Sequence, residues 1–321
     1  MTNIATKLSM AFAAFTFSCV TALAQANTTR IIVPFAPGGG QDVLARIIAP
    51  ELGTLLGETI IIENRAGAGG ATGAGVVARS APDGRTLVMA ASSHTISAAI
   101  NKNLPFDPVK DFTAVAHVGT GAMMVLVNAK LPAKSVMELV EHAKANPGKL
   151  NYASAGVGSA THMAMANFSS RTSISVVHVP FKSTAEALNA LVTNVTQVLI
   201  VPTLGSQTFV TNPDVRILAV MSRERIPSLP NTPSVVESGL TGVEFSSWFG
   251  LLGPAKIPPD TLERINAAVS KVISMPAVFE KIEQQGIEPK PMSPANFAQL
   301  LANHFESTKA IVKAAGIAQG D

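Results

Sequence analysis

Three stretches of the 321-residue chain place glycines and hydroxyl side chains where a β-type run ends and a helical pattern begins. They are Pro37-Gly38-Gly39-Gly40-Gln41-Asp42, Ala91-Ser92-Ser93-His94-Thr95 and Ser154-Ala155-Gly156-Val157-Gly158-Ser159-Ala160-Thr161-His162. The first N–H groups of a helix have no intrahelical acceptor, and the aligned peptide dipoles leave roughly half a unit of positive charge there. Glycine lets a ligand approach the backbone, and Ser or Thr adds a hydroxyl donor. Such turns suit capture of an oxyanion, and in open α/β sheets ligands bind at the carboxyl ends of strands. One such turn alone is also what a tight chain reversal looks like. Two in one predicted lobe and a third in the other point to a cleft site.

The candidate ligand contacts in the first turn are Pro37, Gly38, Gly39, Gly40 and Asp42, with Phe35 before it. In the second they are Ser92, Ser93 and His94. The third supplies Ser154, Ala155, Gly156, Gly158, Ser159, Thr161 and His162, and Pro202 joins them at the end of a later strand. Lys182 follows His-Val-Pro-Phe at a strand end and offers a cation from the second lobe, although most single lysines are merely solvated.

Other chemistries find less support. The glycine-rich run 66–75 lacks the Lys-Ser/Thr pair that ends a phosphate-binding loop. A dinucleotide fingerprint needs glycines at offsets 0, 2 and 5, and here Gly67 and Gly69 lead to Thr72, Gly73 and Gly75 to Ala78, and Gly156 and Gly158 to Thr161. The run reads instead as one that lets a helix pack closely on the sheet, and no cofactor is expected. No Gly-x-Ser-x-Gly elbow occurs. Ser159 and His162 would make a hydrolytic pair only if a histidine three positions along the same helix could aim at its neighbour's hydroxyl, which is rare. The six histidines show neither H-x-H nor H-E-x-x-H spacing, so no metal site is expected. His142 and His304 fall on helix faces predicted to be solvated. His117 and His178 fall in strands, where burial with a hydrogen bond is expected. Tyr152 and Trp248 read as packing residues, Trp248 near the point where the chain crosses between lobes.

The elements that must position these turns follow from periodicity. Nearly all-apolar runs at 30–35, 59–64, 86–91, 113–119 and 122–128 read as strands covered on both faces, and so as parallel ones. Apolar residues from Val43 to Leu56 recur at helical spacing, with a kink or break expected at Pro50. The pattern restarts at 135–148, where Ser135 and Glu138 form a capping box, and continues through strands at 149–154, 174–181, 196–201 and 215–220. A Pro-rich connector covers 225–242, a strand follows at 249–254, and helical patterns close the chain. The expected fold is α/β and two-lobed, with parallel-rich sheets flanked by helices. Lobe 1 is 27–122 plus 248–321, and lobe 2 is 123–247.

Composition agrees with a globular core, at 47% apolar and 14% charged. The net charge of +3 is interspersed and aromatic residues make up 5%, which gives no basis for a nucleic-acid partner. Residues 1–26 stand apart. Lys7 is the only charge before Arg30, an apolar stretch follows, and Ala22, Ala24 and Ala26 form overlapping A-x-A sites. This is the pattern of a cleaved secretory signal peptide; an uncleaved anchor is the alternative. The single cysteine, Cys19, lies inside it, and Thr16-Phe17-Ser18 before it lacks the leucine of a lipoprotein signal.

Several segments together carry a family resemblance: VPFAPGGGQD, ENRAGAGGATGAGVVARSAPDGRTL, LPFDPVKDFTAVAHVG, NYASAGVGSATH, HVPFK and LPNTPSVVESG. In this order, from about Arg30 to the C-terminus, they resemble the Bug-type periplasmic receptors of tripartite tricarboxylate transporters. The resemblance implies a Venus-flytrap fold that is not an enzyme and that holds a small mono-, di- or tricarboxylate between its lobes. It implies delivery to a membrane permease, and the periplasm as the place of work. It also implies that the first turn holds one carboxylate through main-chain N–H groups and waters, that the third turn holds the other end, and that Ser92 to His94 flank the pocket. The chain departs from the family's usual Pro-Tyr-Lys-Gly at Pro180-Phe181-Lys182-Ser183. It departs again at Thr193-Asn194-Val195-Thr196-Gln197, where the family has Gly-Gly-x-Val-Asp. Asn194 is expected to take the left-handed turn, and Gln197 to lose a charge that could have shaped the pocket. The rival functions are a hydrolase in the same cleft and a receptor that presents its ligand to a membrane sensor kinase.

Overall fold

The computed structural model describes residues 28–101, 103–204, 206, 209 and 211–314; the expected signal peptide and Cys19 lie outside them. The chain opens with β1 (Thr28–Val33), α1 (Gly40–Leu56), β2 (Thr59–Asn64), α2 (Ala71–Ala78), β3 (Thr86–Ala91) and α3 (Ser93–Ile100). A long strand, β4 (Phe112–Asn128), leads to α4 (Val136–Ala145), β5 (Asn151–Ser154), α5 (Ala160–Thr172), β6 (Val177–Pro180), α6 (Thr184–Val192), β7 (Val198–Pro202) and β8 (Val215–Val220). The chain returns through β9 (Ser246–Pro254), α7 (Pro259–Ile273), α8 (Pro276–Glu283), β10 (Ile287–Pro289) and α9 (Pro294–Ala314).

The strand order is β2-β1-β3-β9-β4-β7-β5-β6, with β8 and β10 also paired to β4. Ile31, Leu44, Ile48, Val269 and Ile273 pack α1 and α7 on one face of the first half of this path. Trp248, Phe297 and Leu301 hold α9 on the other. In the second half, Val125, Leu139, Phe168 and Ile200 form one core layer, and Leu188, Leu191 and Val201 the other. Helices thus cover both faces of each half, which is why the strands read as continuous apolar runs.

Three expectations need correction. The runs at 113–119 and 122–128 are one strand of 17 residues. Gly119 and Gly121 do not turn the chain; they make room for β10, which pairs Ile287 with Gly121 and Pro289 with Gly119. The sheet is also less parallel than expected. β1 is parallel to β2 and β3, and β5 to β6 and β7, but the pairings of β4 with β7, β8, β9 and β10, and of β9 with β3, are antiparallel. β4 and β9 carry the chain between the two halves and pass each other in opposite directions, without the crossover helix that parallel neighbours need. Burial on both faces makes an antiparallel central strand look like a parallel one. Third, of the kink or break expected at Pro50, the break does not occur: α1 is one helix through it. Pro50 and Arg46 are both exposed, so the carbonyl that loses its donor can turn to water. Gly57, at φ 66°, ends the helix by donating to the Gly53 carbonyl.

Other local readings hold. Ser135 caps α4, accepting from the Glu138 N–H at 3.1 Å, although the Glu138 carboxylate reaches back to the Lys134 N–H at 2.8 Å and not to that of Ser135 as a full capping box would. Asn194 sits at φ 61°. Gly73 lets α2 close on the sheet: a Cβ there would lie 2.9 Å from the Pro34 Cα. Gln197 keeps hydrogen bonding in place of the family's charge. It lies just before β7, at the amino end of that strand, and accepts from the Asn151 N–H at 3.0 Å, so it pins neighbouring strands rather than shaping a pocket.

Candidate functional site

All three turns stand between a strand's carboxyl end and a helix: β1 and α1, β3 and α3, β5 and α5. In the first, Gly39 is the N-cap in extended conformation and gives no side-chain cap. Among the described residues the N–H groups of Gly40, Gln41 and Asp42 have no acceptor. Gly38, at φ 82°, takes a conformation that favours glycine, and its N–H donates to Asp42 Oδ2 at 2.9 Å. Asp42 is therefore not an open ligand contact. Its buried carboxylate accepts from Arg46 Nε at 2.9 Å, Arg46 Nη2 at 3.0 Å and Asn64 Nδ2 at 3.0 Å. The Arg46 hydrogen bond, above all, holds its pKa down at about 2. Asn64 also donates to the Phe35 carbonyl at 3.0 Å, so Asp42 and Asn64 together set the path of 35–38. Pro37, Gly38 and Gly39 are exposed, and Phe35 is half-buried.

The second turn is tied to β9. Ser92 accepts from the Trp248 N–H through Oγ at 2.9 Å and donates its own N–H to the Trp248 carbonyl at 3.1 Å. Ser93 begins α3 and is half-buried. His94 turns to the Pro108 carbonyl, 3.0 Å from Nε2, and packs on the Phe106 and Phe112 rings. Burial there lowers its pKa to about 4. His304 is not on a solvated face: Nδ1 lies 2.7 Å from Thr95 Oγ1, the ring meets Trp248 edge-on, and burial lowers its pKa to about 4. His117 is buried, with Nδ1 2.6 Å from the Lys290 carbonyl.

The third turn closes on itself. Ala155 N–H donates to Thr161 Oγ1 at 2.8 Å, Gly156 N–H to Ser154 Oγ at 3.1 Å, Gly158 N–H to His162 Nδ1 at 3.0 Å, and His162 N–H to Ser159 Oγ at 3.2 Å. Ser159 is the N-cap of α5 and donates to the Gly156 carbonyl at 2.7 Å, so it is not positioned by the His162 ring as a nucleophile. That ring stacks on His178 at 4.2 Å between centroids, and His178 stacks on Tyr152 at 4.7 Å. Burial first, then the His178 charge, lowers the His162 pKa to about 4. Accepting from Gly158 requires an unprotonated Nδ1, so the imidazole is neutral with its proton on Nε2. Ser154 Oγ lies 2.6 Å from His178 Nε2.

The two halves meet at the turns themselves. Leu204, just past β7, occupies the space a Cβ on Gly40 would need. Ile100, the last residue of α3, does the same at Gly158. The first turn therefore abuts the end of β7, and the third abuts the helix that the second turn starts. Pro202, the last residue of β7, is half-buried, and Lys182 is exposed beside the third turn, its N–H 3.2 Å from Glu186 Oε2. Residue type and spacing do not single out Leu204, Ile100 or Asn64. Leu204 and Asn64 lie at or just beyond strand carboxyl ends, the same positional signal that marked the turns.

This geometry is one of backbone donors and hydroxyls in an α/β scaffold, with Arg46 already paired to Asp42. Residues 44–317 match the family described as the tripartite tricarboxylate transporter family receptor. Among solved structures, the chain is similar to the periplasmic binding protein BugD, at 28% identity and TM-score 0.77, covering 91% of this chain and 99% of that one. It is similar to Rpa4515 of R. palustris, solved with adipate, at 28% identity and TM-score 0.81, covering 91% and 98%. MatC of Rhodopseudomonas palustris, with bound malate, is 31% identical with TM-score 0.76, covering 89% and 98%.

Proposed function

Since the chain belongs to the tripartite tricarboxylate transporter receptor family, we propose that it captures a small organic acid between its lobes and delivers it to the membrane permease of such a transporter. The lobes in this reading are 27–122 plus 248–321 and 123–247, and the place of action is the periplasm after removal of residues 1–26. The observation that carries the reading is the uncapped start of α1. Among the described residues the Gly40, Gln41 and Asp42 N–H groups meet no acceptor at this glycine turn, and Arg46 neutralises Asp42. A carboxylate accepting from such a turn gains charge-assisted hydrogen bonds and the favourable end of the helix dipole. Ser93, at the start of α3, and the α5 turn complete the surround. Closure adds contacts from the second lobe and shifts an open–closed equilibrium.

The bound acids of Rpa4515 and MatC support this choice of ligand class. A micromolar complex requires about −8 kcal/mol, within reach of a few charge-assisted bonds and buried ligand carbon. In this reading no residue is catalytic, and Ser159 and His162 serve as cap and brace of the α5 turn. Mass spectrometry of ligand retained on the purified protein, followed by calorimetry against mono-, di- and tricarboxylates, tests it. A retained acid that rebinds with saturable heat is the expected result. Cooperatively melting protein that binds no member of the panel overturns it.

A further inference from the structure

We propose that the C-terminal half of α9 is a clasp that holds the gap between the second and third turns shut when no ligand is bound; the inference rests on the two-lobe division proposed above. Ile96 and Ile100 of α3, Met163 of α5, Phe305 and Val312 of α9, and Phe245 just before β9 share one apolar cluster. Ile96, Met163 and Val312 are fully buried in it, and Ile100 and Phe305 are half-buried. α3 begins at the second turn and α5 at the third, so the cluster joins the two helices that those turns start. In the proposed division α3 and α9 belong to lobe 1, and α5 and Phe245 to lobe 2. Ile100 also reaches onto the third turn itself, with Cδ1 2.5 Å from where a Cβ on Gly158 would stand.

Bonding within each side of this seam differs from bonding across it. On the lobe 1 side, His304 of α9 lies 2.7 Å from Thr95 of α3 and meets Trp248 edge-on, and the Trp248 N–H donates to Ser92. On the lobe 2 side, Asn167 of α5 donates to the Val243 carbonyl at 3.2 Å, and the Phe245 N–H to the Met221 carbonyl at 2.9 Å. Among the described residues no hydrogen bond or ion pair joins α9 to α5, and their contact is hydrocarbon. Such a seam parts without stranding a buried donor or acceptor. What opposes parting is the return of apolar surface to water, which acts whether or not a ligand is present. The outer side is already open to solvent: a cavity of about 780 Å³ lies between α5 and α9, with Asn167, Arg171 and Ser307 in its wall. α3 and α9 therefore move as one body against α5, and the cluster sets how far the resting equilibrium lies toward closure.

Cys19 is the chain's one cysteine, so with residues 1–26 removed, or with Cys19→Ser, the substitution Met163→Cys puts a single thiol inside the seam. The test uses this protein refolded from urea to strip any retained acid. It reads the radius of gyration by solution X-ray scattering and the rate at which N-ethylmaleimide modifies the thiol. Ile100→Ser with Phe305→Ser is expected to enlarge the molecule and to speed modification about tenfold or more, because that rate scales with the open fraction. Val269→Ala, in the lobe 1 core away from the seam, controls for lost stability. It is expected to lower the urea midpoint and leave both readouts near the parent's. An unchanged radius in the double variant, or modification no faster than in Val269→Ala, overturns the clasp. If the double variant does not melt cooperatively, Ile100→Ser alone is read by the same two criteria. Neither readout involves an acid, so their failure leaves the receptor reading to its own retained-acid test, and failure of that test leaves these readouts standing.

Discussion

At the scale of single residues, Asp42 holds the first turn together by accepting from Gly38, Arg46 and Asn64 at once. Asp42→Asn keeps an oxygen but loses the charge, and is expected to cost about 1–3 kcal/mol in urea unfolding. Acid should show the same role. The folded pKa, about 2, lies below the unfolded value of about 3.9, so this stabilisation is complete above the unfolded value and disappears as pH falls through about 2. Asp42→Asn should flatten that part of the pH profile. Three histidines act in a different window. His94, His162 and His304 have folded pKa values near 4, against about 6.5 in an unfolded chain. The unfolded state takes up protons first, so stability declines from about pH 6.5 down to about 4 and loses nothing more from these groups below that. A glutamine at 162 can still accept from Gly158 without titrating. The urea midpoint of His162→Gln is therefore expected to fall less between pH 7.5 and pH 5 than that of the parent.

At the scale of elements, the clearest lesson comes from α1. The rule that proline breaks a helix treats every position alike, whereas Pro50 lies on an exposed face. Its cost should still be measurable. Pro50→Ala restores a donor to the Arg46 carbonyl but frees the unfolded backbone, and a net gain of about 1–2 kcal/mol in thermal or urea unfolding is expected. Unchanged stability would mean that the helix has fully absorbed the ring. The α2 contact allows the reverse experiment. Gly73→Val would drive methyl groups into Pro34 and the Arg65 carbonyl, with an expected loss of about 1–3 kcal/mol. The glycines of 66–75 were legible as a packing device because a nucleotide loop needs partners that the sequence lacks. Gly119 and Gly121 were not legible in that way. Their use depends on β10, a three-residue strand about 170 positions later, too short to carry a period of its own.

At the scale of the whole molecule, the α/β architecture and the three turns could be read from composition and from where apolar runs give way to helical spacing. Strand direction could not, because burial on both faces removes the alternation that would reveal it. Nor could the hydrogen bonding inside the turns. Thr161, Ser154 and His162 read as ligand donors by type, and the fold uses them first to satisfy neighbouring amides. Orientation in three dimensions decides between those uses, and residue type alone does not.

Because a single strand, β4, serves both halves, their side-chain alternation must stay in phase. A receptor whose lobes were joined only by loops would tolerate an extra residue at the crossing. Here one residue inserted after Ala122 would turn Met123, Val125 and Val127, which face one core layer, to the side now held by Met124 and Leu126. Two inserted residues would restore the parity and shift only the register. The single insertion should therefore cripple folding more than the double one, an inversion of the usual expectation that longer insertions do more harm.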